Sequence, residues 1–418
     1  SCIDYAKEQN ITIRKNRITA ASTQIDVKTA KAALFPSLSF STSQQVVNRP
    51  YQETSSRVSG SEIISSNSKT SYNGNYGLNA SWTLYNGNKR LKTIQQEKLN
   101  NQVAELDVAT SENNIQESIA QVYIQILYAA ESVKVNESTL QVSIAQCDRG
   151  QELLNAGSIA KSDFAQLEAQ VSTDRYQLVT AQATLEDYKL QLKQLLELDG
   201  ENEMNIYLPA LSDENVLAPL PTKKDVYIRA LSLRPEIEAS KLNVEASELG
   251  IGIAKSSYLP TISLSAGIGT NHTSGSDFTF GEQVKNGWNN SIGLSVSVPI
   301  FNNRQTKSAV QKAKLQYETS MLSLLDEQKT LYKTIEGLWL DANSAQQRYA
   351  AANEKLKSTQ ISYELISEQF NLGMKNTIEL LTEKNNLLQA QQEQLQAKYM
   401  AILNMQLLKF YQGDQLAI

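Results

Sequence analysis

Residues 72–84 have the sequence YNGNYGLNASWTL, in which apolar and polar side chains alternate. The apolar side chains share one parity, at Tyr72, Tyr76, Leu78, Ala80, Trp82 and Leu84. Asparagine, serine, threonine and glycine occupy the other parity. A period of two residues is typical of a β-strand with one apolar and one polar face. The stretch therefore predicts a strand that separates two different environments.

Three further segments alternate in the same way, at 37–47, 261–269 and 288–300. The spans between the strands, 48–70 and 270–287, are polar and rich in glycine, serine and asparagine, which predicts loops. We therefore expect one β-hairpin over 37–84 and a second over 261–300.

Several motifs occur twice, which indicates a tandem repeat. Residues 84–87 (LYNG) recur 216 positions later as 300–303 (IFNN), and 154–157 (LNAG) recur as 370–373 (FNLG). Residues 35–40 (FPSLSF) recur as 259–264 (LPTISL) with an offset of 224. We predict repeat 1 over 1–200 and repeat 2 over 223–418. The proline-containing segment 201–222 is expected to be an inter-repeat linker in an equatorial region.

Each repeat also contains a heptad pattern with apolar residues at alternating steps of four and three. The positions in repeat 1 are Ile115, Ile119, Val122, Ile126, Ala129, Val133, Asn136 and Leu140. Adding 216 to each gives an apolar or aromatic residue every time, from Leu331 to Leu356. Such spacing is typical of a coiled-coil seam, although an ordinary helix-bundle core would give a similar pattern.

The pattern predicts long helices over 88–154 and 304–372, each about 67 residues and about 100 Å at 1.5 Å per residue. Return helices are expected over 159–197 and 375–411, and first helices over 3–34 and 223–257. In each repeat the two shorter helices together match the long one, so we expect them to stack end to end beside it. The fold class is mainly α with a small β part.

Composition excludes several classes of function. The 418 residues include one His and two Cys, and the formal net charge is −5. We find no nucleophile–base pair, phosphate-binding loop or metal-ligand spacing, so no catalytic residue, cofactor or metal site is expected. The acidic balance argues against nucleic-acid binding. No apolar run reaches the roughly 20 residues of a membrane-spanning helix.

The number of strands suggests an oligomer. Alternating strands of this length fit either a transmembrane barrel or one half of a soluble sheet sandwich. Four strands cannot close a barrel, and open sheet edges are not tolerated in lipid. Twelve strands from three chains would form a closed barrel with room for a channel. A soluble coiled-coil scaffold with small hairpins is the alternative, and it predicts a protein that needs no detergent.

The ordered set of motifs resembles the TolC family of outer-membrane efflux and secretion channels over nearly the whole chain. The resemblance rests on the tandem repeat, the Phe35-Pro36 and Leu259-Pro260 strand entries, the strand exits at 84–87 and 300–303, and the turns at 155–157 and 371–373. It implies a homotrimer that forms a 12-stranded barrel in the bacterial outer membrane and an α-helical tunnel in the periplasm.

The same resemblance implies partners. They are outer-membrane lipid, a periplasmic adaptor (a membrane fusion protein), and an inner-membrane pump or an ABC exporter. The implied role is the exit duct of a tripartite system that exports small molecules or drugs. An exit duct for type I protein secretion remains the alternative. The chain shows no signal peptide and is expected to be a mature form, without a lipid anchor.

The resemblance also places functional residues at the two helical turns. Adaptor-docking tips are expected at Ala156, Gly157, Ser158, Ile159, Ala160, Leu372, Gly373, Met374, Lys375 and Asn376. A periplasmic gate is expected at Asp163, Lys375, Glu379 and Glu383, with Asp163 as the partner of Lys375. The family pattern has a second acidic residue three positions after the first, where this chain has Thr382. Carboxylates in a first helical turn are also explained by the helix dipole alone.

Aromatic residues near the strand ends are expected to lie at the membrane interface, at Tyr72, Trp82, Tyr85, Trp288 and Phe301. Phe35 and Tyr258 are equally compatible with ordinary burial. Cys2 is predicted to be a small buried residue of the first helix, distant from Cys147, so no disulfide is expected. We assign no role to His272.

Overall fold

The computed structural model describes residues 2–51, 55–59, 62–66, 69–199, 206–207, 216–276 and 278–416. Its helices are α1 (Cys2–Gln9), α2 (Ile11–Ala32), α3 (Lys89–Asn155), α4 (Lys161–Leu195), α5 (Lys223–Leu233), α6 (Pro235–Ser256), α7 (Phe280–Asn286), α8 (Gln305–Asn371) and α9 (Thr377–Tyr411). Its strands are β1 (Ser37–Asn48), β2 (Ser55–Ser59), β3 (Glu62–Ser66), β4 (Thr70–Asn86), β5 (Thr261–Thr273) and β6 (Asn289–Ser297). The fold is mainly helical with a small sheet, as predicted.

The chain forms two compact units. Unit 1 comprises residues 1–20, 104–240 and 323–418, and unit 2 comprises 21–103 and 241–322. The heptad positions supply much of the apolar core of unit 1, since Ile126, Ile335 and Ala342 are each at most 1% exposed. The predicted seam positions therefore face the core of unit 1. Among the described residues, none of the helices combines the length and apolarity needed to cross a membrane.

The first helix of each repeat is interrupted once, which the sequence pattern did not predict. Between α1 and α2, the Asn10 side chain accepts a hydrogen bond from the backbone N–H of Thr12 at 2.9 Å and donates one to the carbonyl of Leu195 at 3.1 Å. Between α5 and α6, Arg234 is extended (φ −76°, ψ 124°) because proline follows it. The two breaks are 224 residues apart and are therefore equivalent in the repeat.

Unit 2 contains an antiparallel four-stranded sheet in the order β1-β4-β5-β6, so β1 and β6 form its edges. The register places apolar residues of neighbouring strands side by side: Phe40 pairs with Leu78, Leu78 with Ile268, and Leu264 with Leu294. The polar residues align on the opposite face in the same way. The predicted two-faced strands are thus correct, and their registers agree across the sheet.

Two predicted loops contain regular structure. The span 48–70 holds the antiparallel pair β2–β3, and the span 270–287 holds α7. Helix α7 begins with a capping box, in which Thr279 accepts from the N–H of Glu282 and the Glu282 carboxylate accepts from the N–H of Thr279. The polar composition of these spans had suggested loops, but local capping and strand pairing stabilise short elements there.

Candidate functional site: the two hairpin tips

The long helix of repeat 1 ends in a Schellman turn that leads into its return helix. The N–H of Ser158 donates to the carbonyl of Leu153 at 2.8 Å, and that of Gly157 to Leu154 at 2.9 Å. Gly157 has φ +75°, which lies in the left-handed region that glycine adopts without a steric penalty. The turn therefore satisfies the last carbonyls of α3 and reverses the chain within a few residues.

The second tip repeats this geometry 216 residues later. The N–H of Met374 donates to Gln369 at 2.8 Å, that of Gly373 donates to Phe370 at 2.9 Å, and Gly373 has φ +73°. A Cβ added at either tip glycine would meet nothing within 4 Å. The glycines are thus required by backbone conformation and not by close packing.

We expect Gly373→Ala to destabilise the protein by about 1–2 kcal/mol, because alanine must adopt a left-handed backbone at that position. Gly337 provides the matched control, since a Cβ there also meets nothing within 4 Å but the residue lies inside α8. Gly337→Ala should stabilise by about 0.5–1 kcal/mol. Thermal unfolding of the two purified variants measures both effects, and equal shifts of the same sign would disprove the conformational explanation.

Two of the predicted gate residues, Lys375 and Glu379, are partners of each other within the chain. The Lys375 ammonium lies 2.6 Å from a carboxylate oxygen of Glu379, which follows it by four residues at the same tip. In the single chain Lys375 thus pairs with Glu379 and not with the predicted Asp163, because an i,i+4 partner is within easier reach. Asn376 and Glu379 also form a reciprocal capping box, at 2.9 and 3.2 Å. The hydrogen bond from Lys375 lowers the pKa of Glu379 most, and the bond from the Asn376 N–H lowers it further, so the carboxylate stays ionised at neutral pH.

The acidic residues at the tips also cap and bind their neighbours. An Asp163 oxygen accepts from the N–H of Ala160 at 3.3 Å, which is the favourable position for a carboxylate at a helix N-terminus. Glu383 accepts from the hydroxyl of Ser362 at 3.1 Å. The helix-end explanation of Asp163 and Glu379 is thus supported by contacts. All four predicted gate residues lie in unit 1 and are half-buried in the isolated chain.

The remaining tip residues form an exposed surface. Leu372 and Met374 are 74% and 68% exposed, and Ile378 in the next turn is 62% exposed. At the first tip, Ala156, Gly157, Ser158 and Ala160 are exposed and Ile159 is half-buried. Apolar side chains that protrude at a helix turn are available for contact with another molecule. The second tip is the more apolar of the two.

Sequence reasoning missed a buried ionic cluster between the helices of unit 1. Lys384 of α9 and Asp174 of α4 form an ion pair in which their side chains are only 3% and 1% exposed, and both contact the hydroxyl of Ser143 in α3. Burial lowers the pKa of Lys384, which Asp174 partly opposes. The spacing of α9 could have indicated that Lys384 is buried, because it lies on the same helix face as the buried residues Thr377, Leu380 and Leu387.

A second buried cluster surrounds the break between α5 and α6. The Arg234 guanidinium lies 2.8 Å from both Glu117 and Glu236, and 4.0 Å from the ring centroid of Tyr411. Burial raises the pKa of Glu117, and burial with the nearby Glu117 charge raises the pKa of Tyr411 to about 12. The cluster ties α3, α6 and α9 together.

The predicted interface aromatics are exposed on the sheet of unit 2 or beside it. Tyr72, Trp288 and Phe301 are 56%, 56% and 82% exposed, and Trp82 and Tyr85 are less so. The Trp82 indole N–H donates to the carbonyl of Leu34 at 2.7 Å, beside the end of α2. Phe35 and Tyr258 are also exposed, so ordinary burial does not describe them in the single chain.

Both cysteines are free, and Cys2 is exposed. The prediction of a buried Cys2 is therefore wrong for the isolated chain. Within the described ranges, no group of three or more His, Cys, Asp or Glu side chains is placed to hold a metal ion.

Comparison with known families identifies the relationship. The family model for outer membrane efflux proteins matches residues 2–197 and 226–413, which is most of both repeats. The chain belongs to the outer membrane efflux protein family. This membership confirms the resemblance drawn from the motifs and places the protein in the outer membrane. The family's members are channels and not enzymes. Membership therefore argues against the alternative hypothesis of a soluble coiled-coil scaffold.

Individual relatives are distant. The outer membrane efflux protein BepC of Brucella suis is 24% identical over 69% of this chain and 60% of its own length. The outer membrane protein TolC of Escherichia coli is 23% identical over 72% of this chain and 62% of its own length. The chain thus spans about three fifths of the length of these two relatives.

Solved structures show the same fold. A crystal structure of CusC superposes with a TM-score of 0.83 at 19% identity and covers 99% of this chain and 91% of that one. The Campylobacter jejuni CmeC outer membrane channel gives 0.80 at 18% identity, covering 100% and 86%. The superpositions establish the architecture with its tandem repeat. Sequence identities this low leave the transported substrate open.

Proposed function

We propose that three copies of this chain form an outer-membrane channel that serves as the exit duct of a tripartite efflux system for small molecules. The observation that carries the proposal is the four-stranded sheet with two unpaired edges, β1 and β6. A four-stranded sheet cannot close upon itself, and unpaired backbone groups are very costly in lipid. Pairing β6 of one copy with β1 of the next removes every open edge in a ring of twelve strands.

The two faces of the sheet support this arrangement. The apolar face is unpartnered in the single chain, where Ile292 and Leu294 are 83% and 65% exposed. The opposite face carries serine, asparagine, threonine and glycine, and β1, β4, β5 and β6 contain no Asp, Glu, Lys or Arg. In the closed ring the apolar face contacts lipid and the uncharged polar face lines water.

In this assembly the two tips form the periplasmic end of the duct. The exposed apolar residues Leu372, Met374 and Ile378 support docking of a periplasmic adaptor at the second tip. The adaptor connects the duct to an inner-membrane pump. Asp163 and Glu379, repeated three times, place a ring of carboxylates at the entrance, with Glu383 as a further contributor.

Efflux is favoured over protein secretion by the family description, which names efflux. Relatives of both kinds exist: the alkaline protease secretion protein AprF of Pseudomonas aeruginosa is 21% identical over 71% of this chain. Export of a panel of small toxic compounds by a strain that lacks its own exit duct separates the two roles. Restored resistance supports efflux, whereas restored release of a large secreted protein without resistance supports secretion.

The channel itself is tested in planar bilayers with protein extracted in detergent. We expect discrete, cation-selective conductance from a trimer, and reduced cation selectivity, seen as a smaller reversal potential in a salt gradient, for Asp163→Asn combined with Glu379→Gln. Glutamine retains the capping geometry at position 379. It also removes the carboxylate that pairs with Lys375, so the variant changes the charge of the tip with little change in the backbone. A monomer without conductance would overturn the proposed function, and an unchanged reversal potential would remove these carboxylates from the entrance.

A further inference from the structure

Helix α4 has few fully buried residues in the single chain. Only three of its 35 residues are buried, namely Leu167, Asp174 and Leu192, whereas α9 has 15 buried residues over the same length. Between Leu167 and Leu192, the one buried residue of this fully described helix is an aspartate. The fully buried apolar residues of α4 therefore lie near its two ends, half-buried residues such as Leu185 and Tyr188 pack between them, and Asp174 makes the fully buried polar contact of the helix.

The surroundings of this helix reinforce the point. A groove lies between α3, α4 and α9, and its lining residues are all uncharged, including Ser132, Asn136, Gln177, Thr180 and Gln389. The groove lining therefore supplies no charged side chain that competes for Lys384 or Asp174.

The polar contacts at Asp174 are complete and directional. One carboxylate oxygen accepts from the side-chain amide of Gln170 at 2.9 Å, and the other accepts from Lys384 and Ser143. Buried ion pairs add little stability compared with apolar residues of similar volume, but their directionality can fix the register of the elements that they join. Removing one partner leaves a buried charge and is strongly destabilising.

The pair is also well placed to influence the tips. Asp174 is 11 residues beyond Asp163 along α4, about 16 Å, and Lys384 is five residues beyond Glu379 along α9, about 7.5 Å. An axial displacement of α4 at the ion pair would therefore move tip 1 relative to tip 2 by a similar amount.

We propose that Lys384 and Asp174 are positioning residues that set the register between the return helices of the two repeats, and thereby the alignment of the two tips. Their significance for channel opening rests on the proposed function. The alignment itself is a property of the folded chain and can be measured independently of conductance.

The test compares variants that separate register from stability. Lys384→Met alone leaves Asp174 unpaired and should lower the melting temperature by about 5 °C or more. Combining Lys384→Met with Asp174→Leu should restore the melting temperature, because apolar contacts replace the ion pair. The control combines Lys355→Met with Glu393→Leu, which removes an exposed ion pair between α8 and α9 (2.8 Å, both side chains 42% exposed).

The decisive readout is the distance between spin labels at Ser158→Cys and Met374→Cys, with Cys2→Ser and Cys147→Ser, in full-length chains diluted with unlabelled chains. We expect the Lys384→Met/Asp174→Leu variant to shift the modal distance between the labels by about 3 Å or more, or to broaden the distance distribution by a similar amount. A shift of about 3 Å corresponds to an axial displacement of two residues at about 1.5 Å each. The control should match the wild type. An unchanged distance distribution in the apolar double variant would overturn the proposal.

Bilayer recordings then connect register to opening. If the wild type conducts, the Lys384→Met/Asp174→Leu variant should differ from it in mean conductance by about twofold or more, because a small bias in a two-state equilibrium changes populations by such factors. Absence of wild-type conductance contradicts the proposed function and leaves the distance result intact. Wild-type conductance with an identical double variant contradicts the role of the ion pair in opening.

Discussion

Leu294→Arg is expected to reduce the amount of assembled trimer in the outer membrane by about tenfold or more. Leu294 lies on the apolar face of edge strand β6, opposite Leu264, and it is 65% exposed in the single chain. In the proposed ring it faces lipid, where an arginine costs about 2–4 kcal/mol near the bilayer midplane. The trimer recovered from outer-membrane fractions in detergent measures the effect.

The neighbouring residue supplies the control. Ser295 points to the other face, where its hydroxyl donates to the carbonyl of Ser263 at 3.3 Å. In a water-filled lumen, Ser295→Arg remains solvated, so assembly should be close to normal and only ion selectivity should change. Equal loss of trimer in both variants would contradict the assignment of the two faces, as would normal assembly of both.

The second large effect is expected at Arg234. Its side chain is only 6% exposed and forms ion pairs with Glu117 and Glu236, both at 2.8 Å. Arg234→Ala should lower the free energy of unfolding by about 3–5 kcal/mol, because Glu117 and Glu236, only 18% and 21% exposed, are left largely desolvated without a cation. Arg17→Ala is the matched control: its ion pair with Glu112 at 2.9 Å is 46% and 25% exposed, and its loss should cost less than about 1 kcal/mol.

The loss of unfolding free energy in Arg234→Ala, relative to the wild type, should depend on pH. Burial already raises the pKa of Glu117 above its ordinary value in the native protein, and removal of the guanidinium raises it further. A folded state with a raised carboxyl pKa binds a proton that the unfolded state has released, so stability falls as pH rises between the two pKa values. The difference from wild type should therefore shrink as pH falls from neutral toward the ordinary glutamate range. A deficit that is independent of pH would show that packing, and not the buried carboxylates, is responsible.

Much of the fold could be predicted because its elements carry regular patterns. The alternation at 72–84 predicted both the strand and its two faces, and the register of β1, β4, β5 and β6 agrees with that assignment. The offset of 216 located both tip glycines, and each of them has the positive φ that the turn requires. Period and backbone conformation are local properties, so one segment suffices to reveal them.

The buried clusters could not be predicted in the same way. Lys384 lies 210 residues from Asp174 and 241 from Ser143. Arg234 lies 117 residues from Glu117. A charged residue on the buried face of a helix is unusual, but its spacing does not identify the partner. In the single chain Lys375 also pairs with the local Glu379 and not with the predicted Asp163, because the choice between the two depends on side-chain reach.

By itself, the sequence determined which surfaces this protein has: strands with an apolar and a polar face, helices with a heptad seam, and two glycine turns that reverse the chain. Each follows from side-chain periodicity or from the freedom of glycine at positive φ. Only the tertiary structure decided which charges are buried together, that α9 has many more fully buried residues than α4, and in which order and register the strands pair. These depend on distances between residues far apart in the chain, which hydrophobic burial sets collectively and no single segment encodes.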